Sequence, residues 1–459
     1  MKHTQRSYEP IANYGIIGNM KTAALVSLNG SIDFMSFPHF DSPTIFASLL
    51  DAKKGGYFSI EPQMEEMTSK QLYIPGTAVL ITRFFSECGI AEITDYMPVD
   101  EKNMEDSYCS IVRKVTTIRG NIDFNVFCCP RFDYAQVKHD VKKRDNVLLF
   151  EAINDGGAKV RLIADVTLRT KEKDGIARFT LKQGESAFIV LESVEEGEEE
   201  RFSEIEYYSE CTYYETIRYW RKWLSKSTYH GNWKELIARS AITLKLMTSA
   251  AHGSLIASPT FGLPETLGGN RNWDYRYTWI RDAAFTLYAF LKLGFGEEAA
   301  HFMDWIYKQC VDKDLHLIYK LDGEIDLKET ELNHLEGYRG SKPVRVGNGA
   351  SEQLQLDIYG ELLDTVYIYN KNQTPITFAF WSVIYKQIEK VAALWKQPDH
   401  GIWEIRNEKK EFLHTRLMCW VAMDRGIKIA EDRTFPYPEK EWKAIRDEIY
   451  QDIYHNSWD

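Results

Sequence analysis

In the stretch PDHGIWEIRNEKK, residues 398–410, Trp403 and Glu404 stand side by side after an aspartate–glycine turn. A carboxyl beside an indole is a candidate proton donor, because an apolar neighbour lowers local polarity and favours the uncharged acid. Acid-assisted cleavage of a glycosidic bond with inversion also needs a second carboxylate to activate water, the two groups being about 6.5–9.5 Å apart. Alone, the pair is a weak signal and reads more readily as an exposed glutamate on a turn.

A second stretch, GGNRNWDYRYTWIRDAAFTLYAF (268–290), carries two Trp, three Tyr, three Arg and two Asp before it settles into helical spacing. Aromatic faces stack on the C–H faces of sugars, and charged and amide groups grip hydroxyls. Arg281 and Asp282 fall near the start of the helix, where they can project from its N-terminal end. The competing reading makes Trp273 and Trp279 core packing and the charges helix-end decoration.

The third stretch, ELNHLEGYRGSKPVRVGNGASEQLQLDIYGELLD (331–364), is a glycine-containing loop that leads into a helix predicted from Ser351. Ser351 has an N-cap position, without the glutamate three residues on that completes a capping box. Gly347 and Gly349 form a G-x-G with neither a preceding strand nor G-K-[ST], which is too little for a phosphate loop. Asp357 and Glu361, one turn apart and sharing a face with Gln353, read as a solvated or hydroxyl-binding face; no His completes a metal set.

The elements that must position these stretches divide the chain. All 12 Trp lie at position 220 or later, so a boundary is expected just before it. Ahead of it run β-rich segments at 78–85, 110–118, 122–129, 146–153, 159–168 and 186–193, spaced as in an antiparallel sandwich. The acidic stretch 195–204 reads as a solvated linker or helix start. Helical periodicity follows at 213–224, then at about 233–249, 278–295, 297–312, 351–369, 378–396, 414–431 and 437–455. Long loops at 250–277 and 313–350 interrupt it, and loops of that length in a helical region are usually functional. Successive helices without strands suggest a bundle or toroid.

A formal net charge of −11 argues against nucleic acid or an anionic membrane as partner. The first ten residues have no apolar core of the secretory type, and no run of 18 apolar residues exists to span a bilayer. Seven scattered cysteines do not suggest a disulfide framework, and Cys128–Cys129 reads as a pair of small buried hydrophobes. The expectation is a reduced, cytoplasmic protein that needs no cofactor and no metal, with its oligomeric state left open.

In order and spacing, four blocks resemble glycoside hydrolase family 15, the glucoamylase and trehalase type with bacterial and archaeal two-domain architecture. They are residues 11–51 (IANYGIIGNMKTAALVSLNGSIDFMSFPHFDSPTIFASLLD), 272–287 (NWDYRYTWIRDAAFTL), 334–364 and 401–430. The resemblance implies an N-terminal antiparallel β-sandwich (1–204), a linker helix (205–229) and an (α/α)6 toroid from 230. It implies that Arg281 and Asp282 grip the non-reducing terminal sugar and that Trp279 and Tyr275 line the first subsite. Glu404 becomes the general acid, with Trp403 and Arg406 in the same funnel and Tyr338 and Arg345 as contacts for the leaving sugar. About seven toroid helices precede Asp459 against the family's twelve, and no late glutamate sits in a block like the one that carries the family's base. The toroid is therefore expected to be incomplete here, with the general base absent from a truncated chain. The implied activity is that of an inverting, exo-acting α-glucosidase on α-glucans or trehalose. The alternative is a non-catalytic carbohydrate-binding paralogue.

Overall fold

Strict alternation of buried and half-buried side chains in Leu80–Phe85 is the mark of a strand with one face in a core, and it recurs through the first half of the chain. The computed structural model describes residues 6–99, 108–154, 157–194, 204–311, 313–406 and 408–457; most of the acidic stretch 195–204 lies outside them. Two antiparallel sheets result. In spatial order the first runs Tyr14–Gly18, Ala23–Ser27, Ser31–Ser36, Tyr57–Gln63, Asn121–Cys129, Asp174–Lys182 and Leu168–Lys171, with Thr44–Phe46 beside Ser31–Ser36. The second runs His139–Arg144, Val147–Ala152, Lys159–Ala164, Ser186–Ser193, Ser110–Arg119, Ile90–Tyr96, Leu80–Phe85 and Thr68–Tyr73.

The sheets share one core, in which Val26, Ile32, Phe58 and Phe124 of the first meet Phe84, Ile93, Val115 and Leu162 of the second. This is the expected sandwich, and Cys128 and Cys129 are buried in it. Inside it lies a fully buried ion pair. Arg113 Nε donates to Asp95 at 2.7 Å, and its other nitrogens donate to the carbonyls of Phe58 and Gly30. Every end of that guanidinium is satisfied, the condition under which a buried charge is tolerated.

The run 159–168, read as one strand, is two. Lys159–Ala164 belongs to the second sheet and Leu168–Lys171 to the first. The crossing occurs at Asp165, whose carboxylate takes the Phe188 N–H at 3.0 Å.

Helix α1 (Ile205–Leu224) bridges the two halves. Its first turns carry Tyr208, Tyr213 and Ile217 against Tyr96, Val112 and Val190 of the second sheet. Its last turns bury Trp220 and Trp223 in the helical core, where Trp223 stacks on Phe295 at 4.1 Å. Among the described residues seven helices follow: α2 (Lys234–Leu246), α3 (Ile280–Leu293), α4 (Gly296–Cys310), α5 (Asp357–Asn372), α6 (Phe378–Leu394), α7 (Leu413–Arg433) and α8 (Glu439–Asn456). Helices α5 and α7 approach closely at Gly360, where a Cβ would lie 2.2 Å from the Met418 carbonyl oxygen. Phe285 and Tyr288 on α3 and Leu413 and Leu417 on α7 stay exposed. No helix among the described residues is long and apolar enough to cross a membrane.

The helix expected from Ser351 begins six residues later. Asn348, not Ser351, caps a 3-10 turn at Gly349–Glu352 by accepting the Ala350 N–H, and Gln353 is extended. Leu356 N–H then bonds the buried Asp399 carboxylate, and α5 starts at Asp357. A distant carboxylate thus overrides local propensity.

Candidate active site

Residues 271–282 are fixed before they reach the helix. Their backbone runs beside 257–262, with Gly262 N donating to Trp273 O, Ser258 N to Tyr275 O and Ala257 N to Tyr277 O. Thr278 and Trp279 then pair with Tyr319 and Ile318. Asp274 and Arg276, both fully buried, form a paired fork. Arg276 also donates to Ser36 Oγ, the Ser42 carbonyl and the Tyr134 hydroxyl, which ties the segment to the strands. These charges are structural, and only the following turn, Arg281 and Asp282 at the start of α3, faces Glu404.

Glu404 arrives on a turn set by Asp399. That buried carboxylate accepts the Gly401 and Leu356 N–H groups and the Thr415 hydroxyl. Glu404 itself has φ +52°, left-handed backbone that a non-glycine residue adopts at roughly 1–3 kcal/mol. Neighbours hold it there. Its N–H bonds Gly401 O, and Gln353 Nε2 donates to the carbonyls of Glu404 and Ile405. Trp279 Nε1 donates to Glu404 Oε1 at 2.9 Å and Arg281 to the same oxygen at 3.2 Å. Oε2 has no hydrogen-bond partner among the described residues. The side chain is 23% exposed.

Behind Arg281 lies a cluster of carboxyls. Asp282 is 3.5 Å and Asp357 3.9 Å from its guanidinium, and Gln355 accepts from it at 3.2 Å. Burial raises the Asp282 and Asp357 carboxyls above the usual range, with Arg281 opposing the shift in both. Burial, then Asp357, pushes Glu361 up to about 7. Asp357 is wholly buried, and neither of its oxygens has a hydrogen-bond partner. The solvated face expected at Asp357 and Glu361 is therefore interior, and Gln353 lies outside the helix and serves the Glu404 turn. Among the described residues no set of three acidic, His or Cys side chains is placed to hold a metal ion.

The remaining expected residues separate. Tyr275 lies 5.8 Å from Trp279, ring to ring, beside the candidate acid. Trp403 is 75% exposed, so it does not dry the carboxyl beside it; the indole that meets Glu404 is that of Trp279. Tyr338 departs from expectation: it is buried in a separate cluster with Phe34 and Phe261, and its hydroxyl donates to the Glu9 carbonyl. Arg345 and Arg406 do come together, both over the ring of Trp273 at 4.7 and 3.9 Å and both on the carboxylate of Glu329.

Sequence relatives match nearly all of this chain and about seven-tenths of their own length. A protein named trehalase from Thermoplasma volcanium is 35% identical over 99% of this chain and 72% of its own length. The chain belongs to glycosyl hydrolase family 15. The family's sequence profile matches residues 231–459, and a "Trehalase-like, N-terminal" profile matches 4–202. A trehalase from Mycolicibacterium smegmatis is 33% identical over 97% of this chain and 70% of its length. The fold matches a crystal structure of bacterial glucoamylase complexed with acarbose at TM-score 0.65, covering 98% of this chain and 67% of that one at 13% identity. The fold class, a β-sandwich followed by helices of the (α/α)6 type, stands on that match.

The family-15 core here also contains residues that sequence reasoning passed over. Gln355 on Arg281, Asp399 under the acid turn and Glu329 between two arginines are all single polar residues without a local pattern. The one available signal was the Asp–His–Gly run before Trp403, which marks a side-chain-stabilised turn.

Proposed function

We propose that this chain is an α-glucoside hydrolase of the family-15 type, acting on trehalose, with Glu404 as the general acid. The reading rests on one observation: Trp279 and Arg281 both hold Oε1 of Glu404, which leaves Oε2 to carry a proton to the leaving oxygen. Arg281 and Asp282, beside that acid in the first turn of α3, grip hydroxyls of the terminal glucose, and Tyr275 gives it an aromatic wall, while Trp279, buried in the core, serves through its N–H to Glu404. The naming of the relatives as trehalases favours trehalose over a longer α-glucan. Arg345 and Arg406 lie on the side of the leaving sugar. The surrounding carboxyls pair with Arg281 or are buried, so none is assigned as the base.

The reaction is expected to invert configuration. In water, the attacked half of trehalose would then leave as β-glucose while the departing half keeps its α configuration, so proton NMR of the first turnovers should show the two anomers in equal amounts rather than α-glucose alone. Glu404→Gln removes the proton and should abolish release of glucose; unchanged turnover sinks the assignment. Quenching of tryptophan fluorescence by trehalose without any hydrolysis by the wild-type protein would favour the sugar-binding alternative.

A further inference from the structure

Glu329 lies outside the acid turn, yet it is tied to that turn through Arg406. Arg406, two residues after Glu404, donates NH1 to Glu329 Oε1 at 2.9 Å and NH2 to Oε2 at 2.6 Å, a two-pronged pair. The same carboxylate takes Arg345 Nε at 3.3 Å and the Gly349 N–H at 3.1 Å. It is 18% exposed. Burial works against its charge, but Arg406 and the Gly349 N–H hold it below the usual carboxylate range. Three segments that are separate in the chain therefore meet on one side chain: the acid turn, the loop before residue 346 and the 3-10 turn that leads to Gln353. Gln353 in turn holds the carbonyls of Glu404 and Ile405.

We propose that Glu329 is a positioning residue which, through Arg406 and Gly349, sets where Oε2 of Glu404 points and so controls proton delivery to the leaving sugar. The proposal rests on the reading of Glu404 as the acid. Glu329 is not itself a sugar ligand, since both of its oxygens are already engaged by donors. Its influence passes through the backbone. Glu404 sits in a left-handed conformation that relaxes once its surroundings loosen. Binding of the terminal glucose depends on Arg281 and Asp282, which Glu329 does not touch, and stays intact, whereas protonation of the departing oxygen suffers.

The test separates these effects by leaving group. From trehalose the second glucose leaves through an oxygen that must take the acid's proton, while α-glucosyl fluoride loses fluoride, which needs it far less. Glu329→Gln keeps the size but turns an NH2 towards donors. It should lower the trehalose-to-fluoride ratio of kcat by about 10-fold to 100-fold, within the span that general acid catalysis supplies, with KM for trehalose changed by less than about 3-fold. In a Glu404→Gln background, where only the fluoride still turns over, the same substitution should leave kcat for α-glucosyl fluoride unmoved. Equal loss on both substrates, or a rise in KM with kcat intact, overturns the proposal. Should Glu329→Gln fail to fold, Arg406→Lys, which keeps the charge but loses the fork, must show the same split. Wild-type protein inactive on both substrates overturns the hydrolase reading and this proposal with it; active wild type with no split overturns this proposal alone.

Discussion

Glu361 offers a test in which stability reports the electrostatics of the cluster behind Arg281. Its carboxyl sits in α5 with Asp357, Asp364 and Asp282 raising its proton affinity and Arg281 opposing them, and burial is the largest influence. In the fold it titrates at about 7 against 4.5 for the free group. Because the folded value is raised, the folded state binds the proton more tightly. Stability from this group is complete below about pH 4.5 and is lost as pH rises through about 7. At about 1.36 kcal/mol per pH unit the shift corresponds to a ceiling of about 3 kcal/mol, and screening by the water that still reaches the group brings it to about 1–2 kcal/mol. Glu361→Gln keeps the shape and removes the titration. Urea unfolding at pH 5 should give nearly equal midpoints for variant and wild type, and at pH 8.5 the variant should be the more stable by that amount. A difference independent of pH, or a variant weaker at pH 8.5, refutes the reasoning.

Arg276→Ala should destabilise by about 3–5 kcal/mol in urea titrations, because it strands the Asp274 charge in a dry interior; removing both charges with apolar residues should do less harm. Gly360→Ala must push against the Met418 carbonyl, which is backbone and cannot swing aside, so thermal unfolding should show a loss of about 1–3 kcal/mol. Trp403→Ala should leave stability within about 0.5 kcal/mol, since its ring is exposed, while raising KM for trehalose if that ring meets the sugar.

The regular elements were legible because they follow from periodicity. The strands at 110–119 and 186–193 and the helices α4, α6, α7 and α8 lie within a few residues of their predicted bounds. The residues Arg281, Trp279 and Glu404 were legible as types in dense blocks, and they do meet. What escaped was set by partners remote in sequence. Tyr338 is drawn into a cluster with the N-terminal strands by Tyr8 and the Glu9 carbonyl, a choice nothing in its neighbourhood announces. The late start of α5 follows from Asp399, 43 residues away from Leu356. Glu329 looks like one more charged loop residue until Arg345 and Arg406 close on it.

The Asp274–Arg276 fork limits how such proteins can be recombined. Arg276 belongs to the helical half by sequence, but three of its partners, Ser36, Ser42 and Tyr134, belong to the N-terminal half. A chimera that joins the strands of one relative to the helices of another inherits a lock from one parent and a keyhole from the other. Only parents that keep acceptors at positions 36 and 134 can exchange halves without leaving those ends of the guanidinium unmatched in the seam, five residues from the arginine that meets Glu404.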